Sequence, residues 1–82
     1  MIIDPEFQAL ISPLTTDEYA RLEQSIIDEG CRDPLVVWLE EGILLDGHNR
    51  LAICKKTDTT FETVDLSLPG RLEAMIWIRR NQ

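Results

Sequence analysis

The run Thr15-Thr16-Asp17-Glu18 constrains the fold more than any other part of the chain. It reads as a capping box, with Thr15 as N-cap and Glu18 three residues on, able to bond back to the start of the helix. Leu14 before the cap and Tyr19 after it have the spacing of a hydrophobic staple. Tyr19, Leu22, Ile26 and Ile27 then mark one helical face, and Gly30 is a natural stop. A helix from about residue 16 to residue 29 is therefore the fixed point around which the rest must arrange itself.

On its N-terminal side, residues 1–14 read as an irregular or extended lead-in to Phe7, Leu10 and Ile11. On the other side, Asp33-Pro34 breaks the chain. Leu35 to Leu39 forms a short β-branched run, Glu40-Glu41-Gly42 a turn, and Ile43 to Asp46 a second strand. Both runs are apolar at successive positions, which predicts a hairpin covered by helices on its two faces. Leu51 to Lys56 fits a short helix with lysines near its negative end. Phe61 to Leu66 is a third strand, with Val64 and Leu66 at period two. Ser67-Leu68-Pro69-Gly70 is a break, and Leu72, Met75 and Ile76 mark the face of a last helix. The order helix, strand, strand, helix, strand, helix predicts a small mixed α/β (α+β) domain.

The chain has 82 residues, enough for one domain over 1–82. The last helix runs to Arg79-Arg80-Asn81-Gln82 without a stop signal, which suggests a piece of a longer protein. At 44% hydrophobic and 28% charged residues, the composition is that of a globular chain. No apolar run approaches the ~20 residues of a membrane span, so the expected setting is cytoplasmic, with no membrane partner. Eight basic residues stand against fifteen acidic ones, a net charge of −7. DNA affinity comes largely from cations that neutralise phosphates, so DNA contact is expected through regions outside this chain.

Cys31 and Cys54 are separated by 22 residues and lie in no Cys-x-x-Cys. One disulfide is formally open to them, but a cytosolic setting favours free, largely buried thiols. A single His cannot complete a Cys/His zinc set. Trp38 and Trp77 fall on regular elements and read as packing residues. Arg79-Arg80 complements a helix dipole, Asp17-Glu18 suits a helix start, and Glu40-Glu41 a solvated turn.

The candidate site is Asp46-Gly47-His48-Asn49-Arg50, where a strand end opens into a helix. Gly47 permits a sharp turn and close approach of a ligand. The unpaired N–H groups of the following helix attract anions, and Arg50 adds a planar fork suited to phosphate. His48 and Asn49 can donate or accept, and Asp46 could hold His48 or Arg50 or help carry a divalent cation. Each residue also has a structural reading, which the local chemistry by itself favours. Asp-Gly is a common turn pair, Asn49 a natural helix cap, and a lone His after a strand usually makes a structural hydrogen bond.

The order of these features carries more. Ser25-Ile26 to Gly30, then Pro34-Leu35-Val36-Val37, a hairpin, and Asp46-Gly47-His48-Asn49-Arg50-Leu51-Ala52 together resemble the N-terminal domain of ParB-type partition proteins, in the ParB/sulfiredoxin-like superfamily. The resemblance spans about Phe7 to Gln82. It implies a compact α/β domain, often followed by a helix-turn-helix that reads DNA, and it leaves a homodimer open as a partner. It also implies a cytidine (nucleoside) triphosphate with Mg bound by a Gly-Arg box, which gates a DNA clamp. Gly47 matches the box glycine, Arg50 one of its arginines, and Asn81 a later Asn.

The departures are specific. His48 and Asn49 replace the family's Glu and Arg, Ala52 another Arg, and Pro13-Leu14 a Pro-Arg pair. Arg80 stands where an acid precedes the later Asn. A triphosphate pocket would thus have lost much of its charge, and His48 stands in the region of the cysteine that sulfiredoxin chemistry needs. The implied role is a regulator of DNA partition or of a plasmid or phage. The alternatives are a ParB-fold nuclease or nucleotide-dependent phosphotransferase using Asp46 and His48, and a degenerate protein-interaction module.

Overall fold

The computed structural model describes all 82 residues. Four helices and a three-stranded mixed sheet follow in the order α1 Pro5–Ala9, α2 Thr16–Glu29, β1 Leu35–Trp38, β2 Ile43–Asp46, α3 His48–Thr57, β3 Thr63–Leu66 and α4 Arg71–Arg80. The capping box is present in both directions: the Thr15 hydroxyl accepts from the Glu18 N–H at 3.1 Å, and the Glu18 carboxylate accepts from the Thr15 N–H at 3.0 Å. Gly30 ends α2 with φ +81°. No helix is long and apolar enough to cross a membrane.

The sheet order is β2-β1-β3, with β1 antiparallel to β2 and parallel to β3. Alternation along β1 sends Val36 and Trp38 to one face and Leu35 and Val37 to the other. On the first face Trp38 and Leu45 meet Phe7 of α1 and Ala74 and Ile78 of α4. On the second, Leu35, Val37 and Leu44 meet Leu51 of α3. A third cluster, Ile26, Ile53 and Cys54, joins α2 to the outer side of α3. The hairpin is thus covered on both faces, as its unbroken apolar runs predict. Ahead of α1, Ile2 bridges to Ile43 through Ile2 N–H to Gly42 O at 2.8 Å and Leu44 N–H to Ile2 O at 2.9 Å. That closes the outer edge of β2, whereas β3 forms the other edge with three of its four residues exposed.

Several expectations are corrected. The lead-in contains a helix: Asp4 caps it by accepting from the Glu6 and Phe7 N–H groups, and Pro5 occupies its first turn. On α4 the buried residues are Ala74 and Ile78, while Leu72 and Ile76 are 67% and 43% exposed. The small Ala74 lets the helix approach the sheet, and Arg71, on the same face, reaches Asp4 and Glu6. Ile27 is exposed, because α2 presents only the narrow stripe of Tyr19, Leu22 and Ile26 to α3. Leu39 lies beyond the end of β1, and β3 starts at Thr63 rather than Phe61. Glu40 does more than solvate a turn: it accepts from the Ser67 hydroxyl and from the Leu68 N–H, which holds its carboxyl below the usual range.

Candidate functional site

The loop at residues 46–50 is built by an irregularity and a glycine. Val37 pairs with Leu44 but Val36 pairs with Asp46, leaving Leu45 as an extra residue in β2. Bulges of this kind bend a strand and re-aim the residues that follow. Gly47 then takes φ +105° and serves as N-cap of α3. A Cβ at Gly47 would stand 2.4 Å from Leu35 Cδ2, so this position has neither the backbone freedom nor the space for a side chain. The helix consequently begins at His48, earlier than its apolar run predicts. Asn49 lies inside the first turn and is not the cap; no side chain caps α3. The N–H groups of the first turn are therefore left for another partner.

Arg50 is turned back onto its own scaffold. Its Nη2 donates to Asp46 Oδ2 at 3.2 Å and to the Pro34 carbonyl at 3.5 Å, and its Nη1 lies 4.0 Å from Asp33 Oδ2. Two carboxylates thus offset one guanidinium, and Nε is enclosed without a partner. The sequence suggested Asp46 as a holder of His48 or Arg50, and the partner it bonds is Arg50.

His48 is only 8% exposed, and both ring nitrogens are enclosed with no hydrogen-bond partner. Burial lowers its pKa, against a smaller upward pull from Asp46, so the ring is neutral at pH 7. Enclosed in this way, it offers no nitrogen to a reacting group. Asn49 is half-buried, and its side chain makes no hydrogen bond within the protein. It borders a cleft of about 380 Å³ between the α1–α2 linker, the end of β2 and the C-terminal end of α4. It also borders a smaller one of about 180 Å³ beside Gln8, Ser12 and His48.

The larger cleft contains residues that sequence order keeps apart. Leu14 and Trp77 form apolar walls, and Asp46, Asn49, Asn81 and Gln82 supply polar atoms. Asn81 Nδ2 donates to the Trp77 carbonyl at 2.8 Å, which orients its amide. Gln82 Oε1 accepts from the Ser12 N–H and hydroxyl, both at 3.1 Å, tying the C-terminal end to the linker. Asn81, singled out only through the resemblance, lines this cleft together with Asp46 and Asn49. Trp77 was read only as a packing residue; its proximity in sequence to Asn81 was the available signal. Asp46 is the sole carboxylate lining this cleft, and no three His, Cys, Asp or Glu side chains converge on a metal position. These residues fit a magnesium ion only weakly, with Asp46 as its one carboxylate ligand beside neutral amide oxygens.

Comparison with protein-family models, with curated proteins and with solved structures gives no match to this chain.

Proposed function

We propose that this chain is a ParB-like regulatory domain whose ligand site is the cleft beside Asp46, Asn49, Trp77 and Asn81, and that the ligand is a nucleotide or a similar small phosphate-bearing molecule. The observation that carries this reading is convergence. The uncapped start of α3, the unbonded amide of Asn49, the Trp77 wall and Asn81 border one cleft from well-separated parts of the sequence. Its volume falls within the range of small-molecule sites. In this reading the first-turn N–H groups of α3 meet the phosphate, Trp77 flanks a flat apolar group, and the amides of Asn49 and Asn81 read polar edges. Arg50 positions the loop through Asp46 and is not the principal anion contact. We do not assign DNA recognition to this surface, since a net charge of −7 repels a polyanion.

Calorimetry with a panel of nucleoside mono-, di- and triphosphates, with and without magnesium, tests this. Asn49→Ala is the informative control, because Arg50→Ala would also break an ion pair that shapes the loop. Binding that weakens about tenfold in the variant supports the assignment, the loss expected of roughly one hydrogen bond. Absence of binding at millimolar nucleotide sinks it. A second reading, an interaction module without a small ligand, is favoured by the neutralised Arg50 and would then take its place.

A further inference from the structure

Cys31 follows Gly30 at the end of α2, and Cys54 lies on α3, yet the two meet in the seam between these helices. Cys31 packs against the cluster formed by Ile26, Ile53 and Cys54. Both thiols are free; Cys54 is fully buried and Cys31 is partly exposed. A shallow cleft of about 100 Å³ opens at Cys31 and is also lined by Asp33 and Arg50, so a small oxidant has a route to this sulfur. Cys54 is four residues beyond Arg50 on α3. Cys31 lies just before Asp33 and Pro34, which accept from Arg50 or face it. The thiol pair thus straddles the scaffold that holds the arginine of the 46–50 loop.

We propose that Cys31 and Cys54 form a reversible intramolecular disulfide that restrains this scaffold, with hydrogen peroxide or a disulfide of the glutathione class as oxidant. With glutathione disulfide, the Cys31 sulfur attacks one sulfur, the S–S bond breaks and one glutathione leaves as thiol. The Cys54 sulfur then attacks Cys31 and displaces the second glutathione as thiol. With peroxide, the Cys31 sulfur attacks one oxygen and the O–O bond breaks. Cys31 becomes a sulfenic acid and the other oxygen leaves as water. The Cys54 sulfur then attacks the Cys31 sulfur. The S–O bond breaks, and hydroxide leaves as water with the Cys54 proton. Two thiols are oxidised by two electrons in total and one peroxide is reduced to two waters. The division of labour follows from environment: burial, reinforced by the neighbouring Cys31, pushes the Cys54 thiol up to about 11. Thiolate is the attacking form, so Cys54 resolves and the accessible Cys31 is oxidised first.

The bond does not depend on the nucleotide reading, and the test needs no nucleotide. The full chain is titrated with peroxide and, separately, with glutathione disulfide, then analysed by non-reducing peptide mapping and by hydrogen exchange. The expected product is a monomer that has lost two hydrogens, contains a Cys31–Cys54 cross-linked peptide and returns to the starting mass with dithiothreitol. Amides of residues 46–50 should exchange several-fold more slowly in the oxidised form. Cys31→Ser and Cys54→Ser should each prevent the cross-link. Cross-linked dimers, or Cys31 carried on to sulfinic acid with Cys54 still reduced, would overturn the proposal. A cross-link that leaves exchange at 46–50 unchanged would overturn its restraining role.

Discussion

Two of the arginines that the protein places against carboxylates, Arg71 and Arg50, are treated differently. Arg71, at the start of α4, donates from Nε and Nη2 to Glu6 and from both Nη atoms to Asp4, at 2.8–3.1 Å, and lies 4.5 Å above the centre of the Phe7 ring. These contacts offset the cost of a cation at a helix N-terminus and lock α1 onto α4. They hold the Asp4 carboxyl below its usual range, chiefly through Arg71. Arg50 makes longer contacts, leaves Nε unpartnered, and stands beside an imidazole with two enclosed, unbonded nitrogens. A polar contact that only has to hold two elements together can satisfy every group. Unsatisfied groups are costly to keep, and here they gather on His48 and Arg50, the two neighbours of Asn49 in the chain.

The comparison can be broken at either arginine. The largest effect belongs to the packed side: Phe7→Ala should cost about 3–5 kcal/mol, read as a lower urea midpoint, because Phe7 is fully buried beneath Arg71. Gly47→Ala should cost about 3 kcal/mol, from positive-φ strain and the collision with Leu35. If it costs nothing, the tight turn described for the loop is wrong.

His48→Leu should act in the opposite direction. Replacing an unpaired buried ring by an apolar side chain of similar size is expected to gain about 1 kcal/mol at pH 7. The same variant sharpens the pH behaviour. The folded pKa of His48 lies below the reference 6.5, so the unfolded chain takes up the proton first. Stability is therefore lost as pH falls through 6.5 toward the folded value, and is present in full above that window. Unfolding curves of His48→Leu should lack this part of the acid slope.

Arg71→Met, which keeps an apolar stem over Phe7, should lower stability by less than Phe7→Ala, and the deficit should shrink at high salt because these ion pairs are exposed. Asn49→Ala should leave the unfolding midpoint within about 0.5 kcal/mol of the parent, since Asn49 makes no side-chain bond that holds the fold. A larger change would move Asn49 from the binding surface into the supporting structure.

The secure parts of the sequence reading rest on local signals strong enough to stand alone. Thr15 with Glu18, the stop at Gly30 and the two apolar runs on either side of Gly42 each have a distinct period or cap, and each element is where it was expected. α1 was missed because five residues are too few to show a helical period, although Asp4-Pro5-Glu6 contained the cap, the proline and the first-turn acid. The face of α4 was misassigned because large apolar residues suggested Leu72 and Ile76. The partner helix and the sheet selected Ala74 and Ile78 instead. At the site, residues 46–50 were visible as a group because turn and helix start fall together. The pairing of Arg50 with Asp46, four residues apart, was one of the two the sequence offered. The contacts of Arg50 with Pro34 and Asp33 and the placing of Trp77 on the same cleft as Asn49 depend on tertiary placement, which no local pattern encodes.

The short bridge from Ile2 to Ile43 has a bearing on how copies of this chain can meet. With β2 covered, the sheet retains a single free margin at β3. A unit with two such margins can add neighbours without limit, while a unit with one is exhausted after a single union. Association by strand pairing would therefore end at a closed pair, and removing the first three residues would restore the second margin that chain growth requires.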